Sequence, residues 1–205
     1  MSLKETGKAP GPAARPAHAV GLAASAGGLA ALSEVLSALP SDFPAPVLVV
    51  QHLDPHHRSW LAEILGRRAA LAVCQAEGGE LPAAGTVYVA PPNRHLLVSG
   101  DGTLDLSDSI RVQHVRPSAD LLFSSLAEAW DAGAIAVVLT GTGKDGAEGV
   151  CAVKSRGGTV IVQDEASAEF FGMPGAAIRT GVADRVLPLD DIAPALVELT
   201  AGVNA

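Results

Sequence analysis

The chain has 205 residues, 48 % apolar and 18 % charged, which suits one globular domain with a substantial core and leaves little room for two. A formal charge of −8, dispersed basic residues and a poverty of aromatics (four Phe, two Trp, one Tyr) exclude a basic phosphate-binding face and an aromatic stacking platform, so no nucleic-acid partner is expected. No apolar run reaches the ~18 to 20 uncharged residues of a membrane span, and the N-terminus lacks the order of a secretory signal; no membrane insertion and a cytoplasmic location are the expectation.

Residues 1–17 are rich in Pro, Gly and Ala without a period and read as a disordered tail or linker. A short apolar run over 18–23 then breaks at Ala24-Ser25-Ala26-Gly27-Gly28. Leu29, Leu32, Val35, Leu36 and Leu39 follow at helical spacing, stopped by Pro40. Residues 47–51 form a continuous apolar strand of the kind buried on both faces. Trp60, Leu61, Ile64 and Leu65 mark a further helix, and 71–74 and 86–90 two short strands.

Runs at 96–99 and 103–106 flank Gly100-Asp101-Gly102 and predict a hairpin. A helix is expected from Pro117 to about Asp131, then a buried strand over 134–140, a glycine-rich turn and a helix over about 145–156. A strand over 159–163 and a last helix over about 190–201 complete the pattern. Alternating β and α units with one inserted hairpin indicate an α/β fold with a mostly parallel sheet. Cys74 and Cys151 fall in segments that read as buried, with no metal-ligand or redox spacing, so neither a metal nor a cofactor is implied.

Ligands of such sheets lie beyond the carboxyl ends of the strands, where Ser25, His52, the turn 141–146 and Asp164 all fall. Ser25 sits where a strand turns into a helix, beside two glycines that permit close backbone approach. It is a candidate nucleophile, or simply a helix cap. His52 follows a buried strand and suits general-base work, or a structural histidine bonded to a loop. Asp145, in Gly141-Thr142-Gly143-Lys144-Asp145-Gly146, would orient the Nδ1–H of such a histidine, or cap the helix beginning there. His52, His56 and His57 together raise the question of a metal, but Pro55 interrupts the helix that an i, i+4 ligand pair needs.

A rival reading takes Gly141, Gly143 and Gly146 as a dinucleotide fingerprint, with Asp164 and Glu165 as the ribose-binding acids. Against it, Asp145 sets a negative charge inside the loop that would cradle pyrophosphate, and the motif falls in the last third of the chain. The Gly-x-x-x-x-Gly-Lys-Ser/Thr spacing of a P-loop is absent around Lys144.

Several landmarks recur in one order: Ala24-Ser25-Ala26-Gly27-Gly28, Val49-Val50-Gln51-His52, Pro91-Pro92-Asn93-Arg94-His95, Arg116-Pro117-Ser118-Ala119-Asp120, the turn 141–146, and Gln163-Asp164 with Phe171-Gly172-Met173-Pro174. From about residue 18 to 201 the chain thereby resembles the catalytic domain of the chemotaxis protein-glutamate methylesterase (CheB) family. The resemblance implies a doubly wound α/β sheet with helices on both faces and an added hairpin, over a single catalytic domain spanning 18–205. It implies a Ser25–His52–Asp145 triad, hydrolysis of glutamate methyl esters on the cytoplasmic domain of chemoreceptors, and glutamine deamidation in some members. Backbone N–H groups of Thr142 and Ala26 are the candidate oxyanion hole.

The sequence departs from the family pattern at three positions. Ala26 stands where Thr is usual after the serine, Thr142 where Met is usual, and Val115 where His precedes Arg-Pro-Ser, although His114 lies one residue earlier. Family members often carry a phosphoacceptor receiver domain that covers the site. With about 17 residues before the first strand, the expectation is control by a separate regulatory protein, or none. The non-enzymatic alternative is a degenerate domain that binds a signalling partner without turnover.

Overall fold

A computed structural model describes residues 15–52 and 59–201. Seven strands form one wholly parallel sheet: β1 (Ala19–Ala24), β2 (Val47–Gln51), β3 (Ala72–Gln75), β4 (Thr86–Val89), β7 (Ala134–Val138), β8 (Thr159–Gln163) and β9 (Arg185–Leu187). Their order is β3-β4-β2-β1-β7-β8-β9. Between β4 and β7 the chain makes the expected antiparallel hairpin, β5 (His95–Val98) with β6 (Leu104–Ser107), as a separate two-stranded sheet. The helices are α1 (Gly28–Ala38), α2 (Leu61–Gly66), α3 (Ala119–Trp130), α4 (Ala147–Ser155), α5 (Gly172–Arg179) and α6 (Leu189–Ala201). No described helix is long and apolar enough to cross a membrane.

The central strands β2, β1 and β7 are apolar but for Gln51 at the end of β2 because helices cover both sides of them, and strand alternation sorts their side chains into two cores. Ala19, Ala23, Leu48, Val50 and Val138 pack with Leu122, Phe123 and Leu126 of α3, with Val150 of α4 and with the hairpin. Val20, Leu22, Val47, Val49 and Val137 pack with Leu32 and Leu36 of α1, Leu61 and Leu65 of α2, and Leu196 of α6. The chain winds outward from β1 in both directions, so the crevice where the winding reverses lies beside the end of β1. Ser25 is the next residue.

Two elements had no counterpart in the sequence reading. Helix α5 contains Gly172, Pro174 and Gly175, poor helix formers that tertiary packing holds in place, with Met173 and Ala177 buried in the core. Strand β9 is three residues long and partly exposed, too short to show a period. The two cysteines are corrected as well: both are exposed, Cys74 because β3 is the sheet's edge strand and Cys151 because it lies on the outer side of α4. Of the segment 1–17, residues 1–14 lie outside the described region. Arg15 stacks 3.6 Å over the Trp130 ring, and the Pro16 carbonyl accepts from Trp130 Nε1 at 3.0 Å.

Helix α3 crosses β1 at Gly21, where a Cβ would stand 2.9 Å from Phe123 Cε1 with both groups walled in. Gly21→Ala is therefore expected to destabilise the fold by about 1–3 kcal/mol through overpacking. Urea denaturation should record a lowered midpoint with an unchanged slope; an unshifted midpoint contradicts the account.

Candidate active site

Ala24 of β1 pairs with Gln51 of β2, so Ser25 and His52 leave the sheet as register neighbours. Both continue the alternation of the α3 side: Ala19, Ala23 and then Ser25; Leu48, Val50 and then His52. The main chain fixes them further. Ser25 N–H donates to the Thr140 carbonyl at 3.0 Å, and His52 N–H to the Ala24 carbonyl at 3.1 Å. The Ser25 carbonyl accepts from Gly28 N–H at 2.9 Å and from Gln51 Nε2 at 2.8 Å.

Gly27 closes that turn with φ of 74°, a left-handed conformation that favours glycine, and it is itself the N-cap of α1. No side chain caps this helix, so the Ser25 hydroxyl is not spent on that role. From the other side Gly141 closes in, where a Cβ would meet Ser25 Cβ at 2.9 Å. A cavity of about 570 Å³ then brings Ser25, His52 and Asp145 onto one wall, with Gln113, His114, Val115, Thr142, Gly143 and Lys144.

His52 Nε2 bonds Asp145 Oδ2 at 2.8 Å; against a carboxylate it is Nε2–H that donates, which leaves Nδ1 as the ring nitrogen not engaged by Asp145. The expected donor to the aspartate, Nδ1–H, is thus replaced by Nε2–H. No hydrogen bond joins Ser25 Oγ to the imidazole. The backbone N–H groups of Ala26 and Thr142 have no acceptor among the described residues; the Ala26 carbonyl accepts from Thr140 Oγ1 at 3.0 Å, which steadies the turn.

Asp145 is 4 % exposed, and its carboxylate is fully engaged. Besides His52, it accepts from Ala119 N–H at 2.6 Å, Ser118 Oγ at 2.8 Å and Asp120 N–H at 3.2 Å. It caps a helix, but α3 rather than the helix it precedes. Burial pushes its carboxyl upward, but the bonds from His52, Ala119 and Ser118 outweigh that and hold it below the usual range.

The cap of α4 comes from Asp120, a residue the sequence reading left without a role. Its Oδ1 accepts from the N–H groups of Gly146 at 2.9 Å, Glu148 at 2.9 Å and Gly149 at 2.8 Å, and Oδ2 accepts from Gln113 Nε2 at 2.7 Å. Burial, with the neighbouring Asp145 charge, raises its carboxyl to about 6 despite the Gly149 bond. An acid at the second position of α3 is the one available sequence signal, and it does not say which helix is capped. Ser118 is held in turn by His95, whose Nδ1 accepts from Ser118 N–H at 3.1 Å while Nε2 donates to the Ile110 carbonyl at 3.2 Å. Burial lowers this imidazole's pKa and keeps it neutral.

The same contacts dispose of the dinucleotide reading. The N–H groups that a pyrophosphate would need at the start of α4 already serve Asp120, and Asp164 Oδ1 accepts from the N–H and Oγ of Ser167 in a local turn. His56 and His57 lie outside the described residues. Among the described ones, no group of three or more His, Cys, Asp or Glu gathers as a metal site would.

A family model described as CheB methylesterase matches residues 20–196. The chain is 46 % identical over 192 residues to protein-glutamate methylesterase/protein-glutamine glutaminase 2 of Anaeromyxobacter dehalogenans, covering 94 % of this chain and 56 % of that protein. It is 44 % identical over 192 residues to the protein-glutamate methylesterase/protein-glutamine glutaminase of group 3 operon of Rhizobium meliloti, covering 93 % and 54 %. The chain thus spans about half the length of the curated relatives it matches. The crystal structure of the Thermotoga maritima CheB methylesterase catalytic domain superposes with a TM-score of 0.85 at 40 % identity, covering 89 % of this chain and 98 % of that one.

The two carboxylates respond to pH in opposite directions. Folded Asp120 keeps its proton to higher pH than the unfolded chain, so its contribution to stability is complete below about 3.8 and lost as pH rises through about 6. Asp145, held low, contributes above the ordinary carboxylate range and loses that contribution as pH falls through its folded value. Asp120→Asn removes the first effect and keeps the Asp145 carboxylate in place. The Tm advantage of the unsubstituted protein over Asp120→Asn should widen as pH is lowered from neutrality toward 4, and a gap independent of pH contradicts the assignment.

Proposed function

The chain belongs to the CheB methylesterase family, and on that premise we propose that it hydrolyses methyl esters of glutamate side chains on the cytoplasmic domains of chemoreceptors, in chemotaxis-type signalling. The observation that carries this reading is the buried His52–Asp145 pair opening onto the same cavity as Ser25. The proposed action places the protein in the cytoplasm.

In the proposed mechanism Ser25 Oγ attacks the ester carbonyl carbon while His52 Nδ1 accepts the hydroxyl proton. Imidazolium formed in this way is stabilised through Nε2–H by Asp145, which remains ionised because burial is outweighed by its hydrogen bonds. The oxyanion receives the N–H groups of Ala26 and Thr142, where one such donor is worth ~2.7–4 kcal/mol. Collapse breaks the bond to the methoxy oxygen, which takes the proton from His52 and departs as methanol. Water then attacks the acyl-enzyme with His52 again as base, releasing the glutamate carboxylate and restoring Ser25. A glutamine side chain enters the same sequence with ammonia as the leaving group.

The missing Ser25–His52 bond fits a base whose contact with the nucleophile closes with substrate in place. Ala26 and Thr142 take part through the main chain, so their departures from the family pattern leave both donors available.

A fluorophosphonate probe should label Ser25, and the label should vanish in Ser25→Ala; an unlabelled, folded protein overturns the hydrolase reading. Asp145→Asn should lower kcat by roughly 10⁴-fold, the usual cost of misorienting a triad histidine. Methanol release from methylated receptor membranes tests the substrate, and receptor binding without methanol would make the domain an interaction module.

A further inference from the structure

Ser25 stands on the divide between two cavities. Beyond the one shared with His52, a second, of about 710 Å³, opens between the start of α1 and the end of α2. Its charged lining consists of Arg67 and Arg68, both exposed and neither paired with a carboxylate among the described residues. They set two positive charges without an ion-pair partner among the described residues beside Ser25, in a protein with a net charge of −8.

The acid nearest along α2, Glu63, lines a different cavity on that helix's other side. Lys144 adds a third positive charge across Ser25. Glu169, whose carboxylate approaches Gly27, is an opposing charge beside that turn.

The lining is also apolar where it could have been polar. Leu29 is 44 % exposed and Ile64 40 %, and both face this cavity. Gln51 lies in the lining as well, 7 % exposed, with Nε2 tied to the Ser25 carbonyl and Oε1 buried without a donor among the described residues. The wall of the second cavity is therefore joined to the nucleophile's own turn.

Only two methylene groups separate the reacting carbonyl of a glutamyl ester from its main chain. With that carbonyl at Ser25, the flanking residues must run through the depressions on either side. We propose that the second cavity is the docking groove for those residues and selects an acidic segment with an apolar face: carboxylates meet Arg67 and Arg68, and aliphatic side chains cover Leu29 and Ile64. The inference rests on the esterase reading of Ser25 and adds to it the chemistry of the neighbouring substrate residues. Charges at such a rim act more through encounter and KM than through the chemical step.

Two peptides of equal length test it, each with one glutamate methyl ester, flanked by glutamates in one and by glutamines in the other. The unsubstituted protein should favour the acidic peptide about tenfold in kcat/KM, through KM, as two exposed ion pairs allow. The preference should shrink as NaCl rises from about 50 to about 500 mM. Arg67→Gln/Arg68→Gln should abolish it while hydrolysing the neutral peptide and p-nitrophenyl acetate at the original rate.

Equal use of both peptides by the unsubstituted protein, or an unchanged preference in the double variant, overturns the proposal. Failure of the esterase reading is separately visible, because the unsubstituted protein would then cleave neither peptide nor p-nitrophenyl acetate. Fluorescence anisotropy of the labelled peptides still decides the groove in that event: binding of the acidic peptide lost in the double variant supports it, and equal binding by both proteins overturns it.

Discussion

Two buried carboxylates exchange helices. Asp145, at the turn before α4, holds the open N–H groups of α3, and Asp120, in the first turn of α3, holds those of α4. Each helix end supplies the partial positive charge that makes an ionised carboxylate tolerable inside the protein. The close approach this requires is visible at Gly149, where a Cβ would press within 2.7 Å of Phe123 and 2.9 Å of the Asp120 Cα. Without the exchange, Asp145 would be a buried charge with only His52 and the Ser118 hydroxyl to answer it. With it, the carboxylate is oriented before any substrate arrives, and His52 inherits that orientation.

The exchange also explains how a structural role and the proposed chemical one coexist in one side chain. Oδ1 of Asp145 serves Ser118 and Asp120, whereas Oδ2 is divided between Ala119 and His52. Three of the four bonds belong to the fold and one to the site. His95 extends the arrangement outward by fixing Ser118, so a histidine remote from the cavity still helps define the aspartate's position.

Much of this was legible in the sequence, for identifiable reasons. Unbroken apolar runs at 47–51 and 134–138 announce strands covered on both sides, and parallel strands deliver their following residues to one edge, which places Ser25, His52 and Asp145 together. Other features depend on partners distant in sequence. Whether an aspartate in a glycine turn caps its own helix or another is settled by tertiary contact, so Asp120 and Asp145 could not be matched to α4 and α3 in advance. Helix α5 forms against its own propensities because Met173 and Ala177 have a core to enter. Cys74 looked buried because its neighbours are apolar, but a strand at the margin of the sheet leaves one side uncovered.

The pairing of Ala24 with Gln51 reaches into the choice of imidazole nitrogen. Adjacent strands lie only about 4.8 Å apart, so a serine and a histidine leaving them side by side begin almost within reach of one another. In the proposed mechanism the ring nitrogen nearer the main chain, Nδ1, is the one placed to span so small a gap, while the distal nitrogen bonds Asp145 on the loop after β7. The sheet thus acts as a ruler for the site: its hydrogen-bond ladder sets the separation of the two side chains, and a slip of one residue between β1 and β2 would spoil it with every side chain still present.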